Sequence, residues 1–125
     1  MTVPQKVLLA MRGNREERAI LIRDSNRLVA VSVLSSPKLG DSEVETIARM
    51  AGISDEILRI IANTRAWVKS YPVVVALTRN AKTPPAIAMN LLARLNDRDL
   101  RLLSSDRNVA DIVRVTARKK LVIGA

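Results

Sequence analysis

Apolar side chains recur at three- and four-residue spacing along the chain, as in Val44, Ile47, Ala48 and Ala51, in Ile57, Ile60 and Ile61, and in Ile87, Leu91, Leu92 and Leu95. That period puts them on one stripe of an α-helix, and each stripe lasts about ten residues before polar positions interrupt it. Short amphipathic helices are predicted. Asn14 precedes Glu17 by three residues, Ser42 precedes Glu45 and Asn108 precedes Asp111, which is the arrangement of a capping box or a close relative. Ser54 is placed to cap "DEILRIIAN", Ser70 or Tyr71 to precede a helix opening with Pro72, and Thr83 to cap one whose first turn holds Pro84 and Pro85. Prolines fit there because the first helical positions have no intrahelical use for an N–H. The segments "LVAVSVL" and "PVVVAL" carry β-branched residues that favour strands. The strand alternative rests on propensity alone, since neither segment has hairpin turn chemistry beside it and each leads into a helix start.

The turns repeat. "LVAVSVLSSPKLGDSEVETIARM" superimposes on "PVVVALTRNAKTPPAIAMNLLARL" with Lys38 on Lys82, and "DEILRIIANTR" superimposes on "RDLRLLSSDR" with Arg59 on Arg101 and Arg65 on Arg107. "VLLAMRGNR" gives a weaker copy ending at Arg15. A short helix, a small polar turn and a cation therefore recur at Arg15, Lys38, Arg65, Lys82 and Arg107, with steps of 23, 27, 17 and 25 residues. One such unit cannot bury its own apolar stripe, so neighbouring units must stack to make an interior.

The third unit, "VVVALTRNAKTPPAIAMNLLARL", with Asn80-Ala81 and Thr83-Pro84, and the second, which keeps Pro37, resemble the leucine-rich repeat variant family and, more broadly, HEAT-like α-solenoids. The resemblance covers most of the chain and concerns architecture. It implies a right-handed superhelix of paired helices. The expected fold is all-α, a short solenoid of about four or five helix-turn-helix repeats forming a single domain over residues 1–125. HEAT-like folds include DNA glycosylases, so the resemblance also raises catalysis. That chemistry wants a carboxylate beside an aromatic cleft, whereas no acid lies between Glu56 and Asp97, on either side of Trp67 and Tyr71, unless tertiary approach brings one.

Composition narrows the function classes. With 48% apolar and 26% charged residues the chain has the makeup of a globular protein. Cys and His are both absent, which removes disulfides, thiolate or imidazole metal sites and His-based triads. No charge-free run exceeds Thr83–Ala93, short of the roughly 20 residues that span a bilayer, and no signal peptide is expected. A cytoplasmic protein is expected. Asp97 and Asp99, like Asp41, Glu43 and Glu45, lie at predicted helix starts, where carboxylates favour the macrodipole, so they are read as capping rather than catalytic or metal-binding groups. Neither a catalytic residue, a metal nor a cofactor is expected, and a small-molecule ligand is not expected either.

The formal charge is +9, and of the 21 cations 15 are arginines. Such a bias speaks to partners, and the guanidinium fork pairs bidentately with phosphate. It is also uneven, because Arg59, Arg65, Lys69, Arg79, Lys82 and Arg94 fall in a stretch without any acid. Stacked repeats would align the turn cations along one edge at about 10 Å intervals, a ladder suited to a phosphate backbone. The candidate nucleic-acid-binding residues are Arg15, Lys38, Arg65, Lys69, Arg79, Lys82 and Arg107, with Trp67 and Tyr71, four apart, as a stacking platform or peptide anchor. Against this stands the plainer reading, in which loop cations solvate turns and cap helix C-terminal carbonyls and the two aromatics fill space at the shortest repeat. The expected function is a non-enzymatic module binding nucleic acid through phosphates with little sequence preference. A scaffold for an acidic protein partner is the alternative, and anionic lipid headgroups come third.

Overall fold

The computed structural model describes residues 1–124, with side chains through Val122. Its described residues form ten α-helices and one 3-10 turn, and no strand occurs among them. Both β-branched segments are helical. The chain divides into two compact units, Met1–Ile47 and Ala48 onward.

The first unit holds α1 (Val3–Arg12), α2 (Arg15–Leu21), α3 (Arg27–Val33) and all but the last residue of α4 (Asp41–Ala48). Thr2 and Gln5 close a capping box on α1, and Asn14 and Glu17 close the expected one on α2. At the turn between them Gly13 stands where a Cβ would meet the Leu9 carbonyl at 2.6 Å, so no other residue fits without a shift. Helix α1 lies against α3, and α2 against both. Ala10, Leu21, Ile22, Val29, Val33, Val44 and Ile47 are buried. Helix α4 begins at Asp41 on the Gly40 carbonyl, which accepts from the Glu43 and Val44 amides, so Ser42 lies inside the first turn rather than capping it.

The second unit holds α5 (Asp55–Asn63), α6 (Arg65–Val68), α7 (Tyr71–Arg79), α8 (Pro85–Leu91) with its 3-10 extension Leu92–Arg94, α9 (Asp97–Ser104) and α10 (Asp111–Gly124). Alternate helices meet: α5 packs on α7, α7 on α9, and α8 on α10. Val74, Ala88, Leu92, Leu95, Leu100, Leu103, Val109, Val113 and Ala117 make one apolar interior. Ala88 and Ala117 let helices approach closely, in keeping with a chain that has no Phe. Ser54 caps α5 through the Ile57 amide as expected. Helix α8 instead starts at Pro85, with the Pro84 carbonyl taking the Ile87 and Ala88 amides. Thr83 is displaced from the cap, and its buried hydroxyl has no hydrogen-bond partner among the described residues. Helix α10 starts at Asp111 on the Ala110 carbonyl, two residues beyond the expected cap at Asn108. No helix among the described residues is long and apolar enough to cross a membrane. In the tail, Leu121 packs on the interior and Val122 is exposed, whereas the expectation for Ile123 lies outside the described side chains.

Candidate nucleic-acid interface

Each of the five recurring cations sits where an odd-numbered helix hands over to the next. In the first unit Arg15 opens α2 and Lys38 lies between α3 and α4; in the second, Arg65 opens α6, Lys82 lies between α7 and α8, and Arg107 between α9 and α10. All five are exposed, as are Lys69 and Arg79.

Three of these turns share one local geometry. The Ser36 hydroxyl accepts from the Lys38 amide at 3.3 Å, Asn80 Oδ1 accepts from the Lys82 amide at 2.9 Å, and Asp106 Oδ1 accepts from the Asn108 amide at 2.9 Å. A short polar side chain that bonds the backbone two residues on reproduces a backbone turn, which is why these residue types stand there. Lys38 and Lys82 thus each donate their amide to the side chain two residues earlier. In the third turn that place belongs to Asn108, and Arg107 comes one residue earlier. Ser36 and Asn80 also reach back into their own unit: Ser36 donates to the Met11 carbonyl at 3.2 Å, and Asn80 Nδ2 donates to the Ala48 and Met50 carbonyls at 2.7 and 3.0 Å.

The cations differ in how far they are committed. Lys38 Nζ donates to the Arg12 carbonyl at 2.9 Å, at the C-terminal end of α1, where a cation also complements the macrodipole. Arg15 donates to Thr46 Oγ1 at 3.1 Å and, at 3.5 Å, to the Ser42 carbonyl. Arg79 Nε stands 3.9 Å from Asp106 Oδ2. Arg65, Lys69, Lys82 and Arg107 make no side-chain hydrogen bond or ion pair among the described residues, so their charges face solvent uncompensated.

Trp67 and Tyr71 do not share a helix face, because Trp67 belongs to α6 and Tyr71 opens α7, with Lys69 and Ser70 between. Tyr71 is tied down. Its hydroxyl donates to Asp99 Oδ2 at 2.5 Å and accepts from the Asn96 amide at 3.0 Å, while its ring packs on the apolar interior. Burial first, and then the Asp99 carboxylate, raise the phenol above its ordinary pKa. An acid therefore reaches Tyr71 by tertiary approach, although it serves there as the partner of the tyrosine hydroxyl. Trp67 is half-buried.

Two groups that sequence reasoning passed over complete the polar framework. Arg18 and Glu43, both buried, form a two-pronged pair at 2.6 and 2.8 Å, and Arg18 Nη1 also donates to the Gly13 carbonyl at 2.6 Å. Glu43, read as a helix-start acid, does lie in the first turn of α4, and it is an interior group as well. Beside Arg107, a cleft of about 500 Å³ is lined by Ser104, Ser105, Arg114 and Arg118 as well. Charge-rich sequence around these arginines gives a signal, but Arg101, Arg114 and Arg118 look alike until the turn before α10 is placed. Among the described residues no group of three or more acids is positioned to hold a metal ion.

The chain has no significant match among protein-family models, curated proteins or solved structures.

Proposed function

We propose that this chain is a non-enzymatic binding module of the HEAT-like solenoid kind, and that it holds nucleic acid through phosphate contacts made by cations at its helix-to-helix turns. The observation that carries the reading is the placement of Arg65, Lys82 and Arg107 in the second unit: three successive odd-to-even turns, each with an exposed cation that is left unpaired among the described residues. The stacking of α5 on α7 and α7 on α9 supports a repeated unit there, since equivalent corners recur when alternate helices pack in a row. The net charge of +9 supports a polyanionic partner. Arginine and lysine contacts of this kind position a backbone and carry little sequence information, so the binding is general. Reversing all three charges (Arg65→Glu, Lys82→Glu, Arg107→Glu) abolishes binding to a random single strand or duplex at low salt and leaves helix content intact; retained affinity overturns the reading.

A scaffold for an acidic protein is the second reading, and one feature favours it. On α10, Val115 and Val122 line a groove of about 340 Å³ flanked by Arg118 and Lys119, which suits an amphipathic acidic segment laying its apolar side between cations. Under this reading Val115→Asp blocks capture of the partner while the triple charge reversal does not.

A further inference from the structure

The cleft at the α9–α10 turn has a charge and a shape that the turn ladder by itself does not account for. Arg107 projects from the turn without a partner among the described residues. Arg118 is held in place by a bond from Nη2 to the Ser104 carbonyl at 3.0 Å, which leaves its other N–H groups for a ligand. Arg114 is paired with Asp111, its neighbour one turn earlier on α10. Asp111 is itself 87% exposed, so an incoming anion can replace it at the guanidinium. Ser104 and Ser105 keep the remaining wall polar, their hydroxyls turned toward the carbonyls of Arg101 and Leu102. Three arginines thus line one cleft, and one carboxylate is paired with one of them, an excess of two positive charges.

We infer that this cleft seats a terminal phosphate, the dianionic phosphomonoester at the end of a nucleic-acid strand. A phosphodiester inside the strand carries one charge and two free oxygens, whereas a terminal phosphate near neutral pH carries close to two charges and three free oxygens. The latter matches both the charge excess and the three forks. The described lining of the cleft is arginine and serine, groups that recognise a phosphoryl rather than stack on a base. Arg107 supplies the mobile arm, Arg118 the fixed one, and Arg114 exchanges Asp111 for the ligand. The inference rests on the nucleic-acid reading for the source of the phosphate, and on its own geometry for the site.

The test is equilibrium binding of the full chain to one single strand of about 12 nucleotides, prepared unmodified, with a 5′-phosphate and with a 3′-phosphate. A second arm titrates inorganic phosphate while following the arginine Nε–H signals by NMR. A phosphate on at least one end is expected to tighten binding by roughly fivefold or more, as charge-assisted contacts to an added dianion should. Arg107→Gln, which removes no structural bond, and Arg114→Gln each erase that preference, and Asp111→Asn increases it. Inorganic phosphate shifts Arg107, Arg114 and Arg118 selectively. If all three strands bind equally well, the cleft assignment is overturned and the general nucleic-acid reading stands. If no strand binds at low salt, that reading falls, and the phosphate titration then decides the cleft alone: absence of selective shifts overturns it.

Discussion

Arg18 and Glu43 face each other inside the first unit across 25 positions of sequence, two N–H groups of one fork on the two oxygens of one carboxylate. The hydrogen bond to Glu43 is the leading cause of a guanidinium held above its already high pKa, so Arg18 is charged at every accessible pH. Such a pair contributes little net stability against a well-packed apolar substitute, because desolvating two ions offsets their attraction. Breaking one side is different. Arg18→Met leaves a buried carboxylate alone, and the expected loss is about 3–5 kcal/mol. Arg18→Met with Glu43→Leu should recover most of it. Urea unfolding of the full chain, followed by circular dichroism, checks the ranking; a single variant as stable as the parent contradicts it.

The Tyr71–Asp99 bond makes a spectroscopic prediction. Tyr71 is the chain's one tyrosine, so alkaline absorbance reports it alone. Since its folded pKa lies above the ordinary 10.0, the phenol favours folding fully below that value, and the contribution is lost as pH rises through the folded pKa. Tyrosinate absorbance is expected to appear later in the folded protein than in urea. Tyr71→Phe removes both hydrogen bonds of the hydroxyl, at a cost of about 1–2 kcal/mol, and removes the tyrosine's own share of the alkaline dependence. Coincident titrations in both states would refute this.

Asn80 is the most committed of the turn residues. It donates twice and accepts once, so Asn80→Ala is expected to cost roughly 2–3 kcal/mol at about 1 kcal/mol per bond. Asn80→Asp is expected to be worse than alanine, because a carboxylate cannot donate to the Ala48 and Met50 carbonyls and repels them instead. Thermal unfolding of the two variants side by side distinguishes these; aspartate matching asparagine would contradict the assignment.

Lys6 and Asp24 give an acid-side prediction in the first unit. Their pair at 2.8 Å, with the Lys6 bond as the larger cause and the Asn26 amide next, holds Asp24 below the usual carboxylate range. A depressed carboxylate stabilises above its unfolded pKa and loses that contribution as pH falls through its folded value. Lys6→Met should reduce stability at neutral pH and flatten the decline toward acid. Equal declines in both proteins would exclude a role for the pair.

Helices were legible because their information is local. The period of Ile57, Ile60 and Ile61 and the caps at Asn14 and Ser54 involve residues within one turn of each other. What failed to show was competition and distance. Asn108 has the chemistry of a cap, yet its amide is engaged by Asp106 two residues before it, and the helix starts further on. Glu43 and Arg18 both look like surface charges on amphipathic helices, and only tertiary packing brings them together inside. Likewise Arg114 and Arg118 come beside Arg107 only where the α9–α10 turn borders a cleft. The boundary between the two compact units, after Ile47, falls inside α4 and leaves no mark in composition.

Dependence of affinity on salt tests the central claim most directly. The full chain is titrated by fluorescence anisotropy against a random-sequence strand of about 20 nucleotides between 50 and 200 mM monovalent salt. Three phosphate contacts predict a log–log slope near −2 on a single strand, more than tenfold in affinity over that range, and Arg65→Gln, Lys82→Gln and Arg107→Gln are each expected to reduce the slope by about 0.7. Absence of binding at 50 mM, or a slope near zero that these variants leave unchanged, contradicts the account.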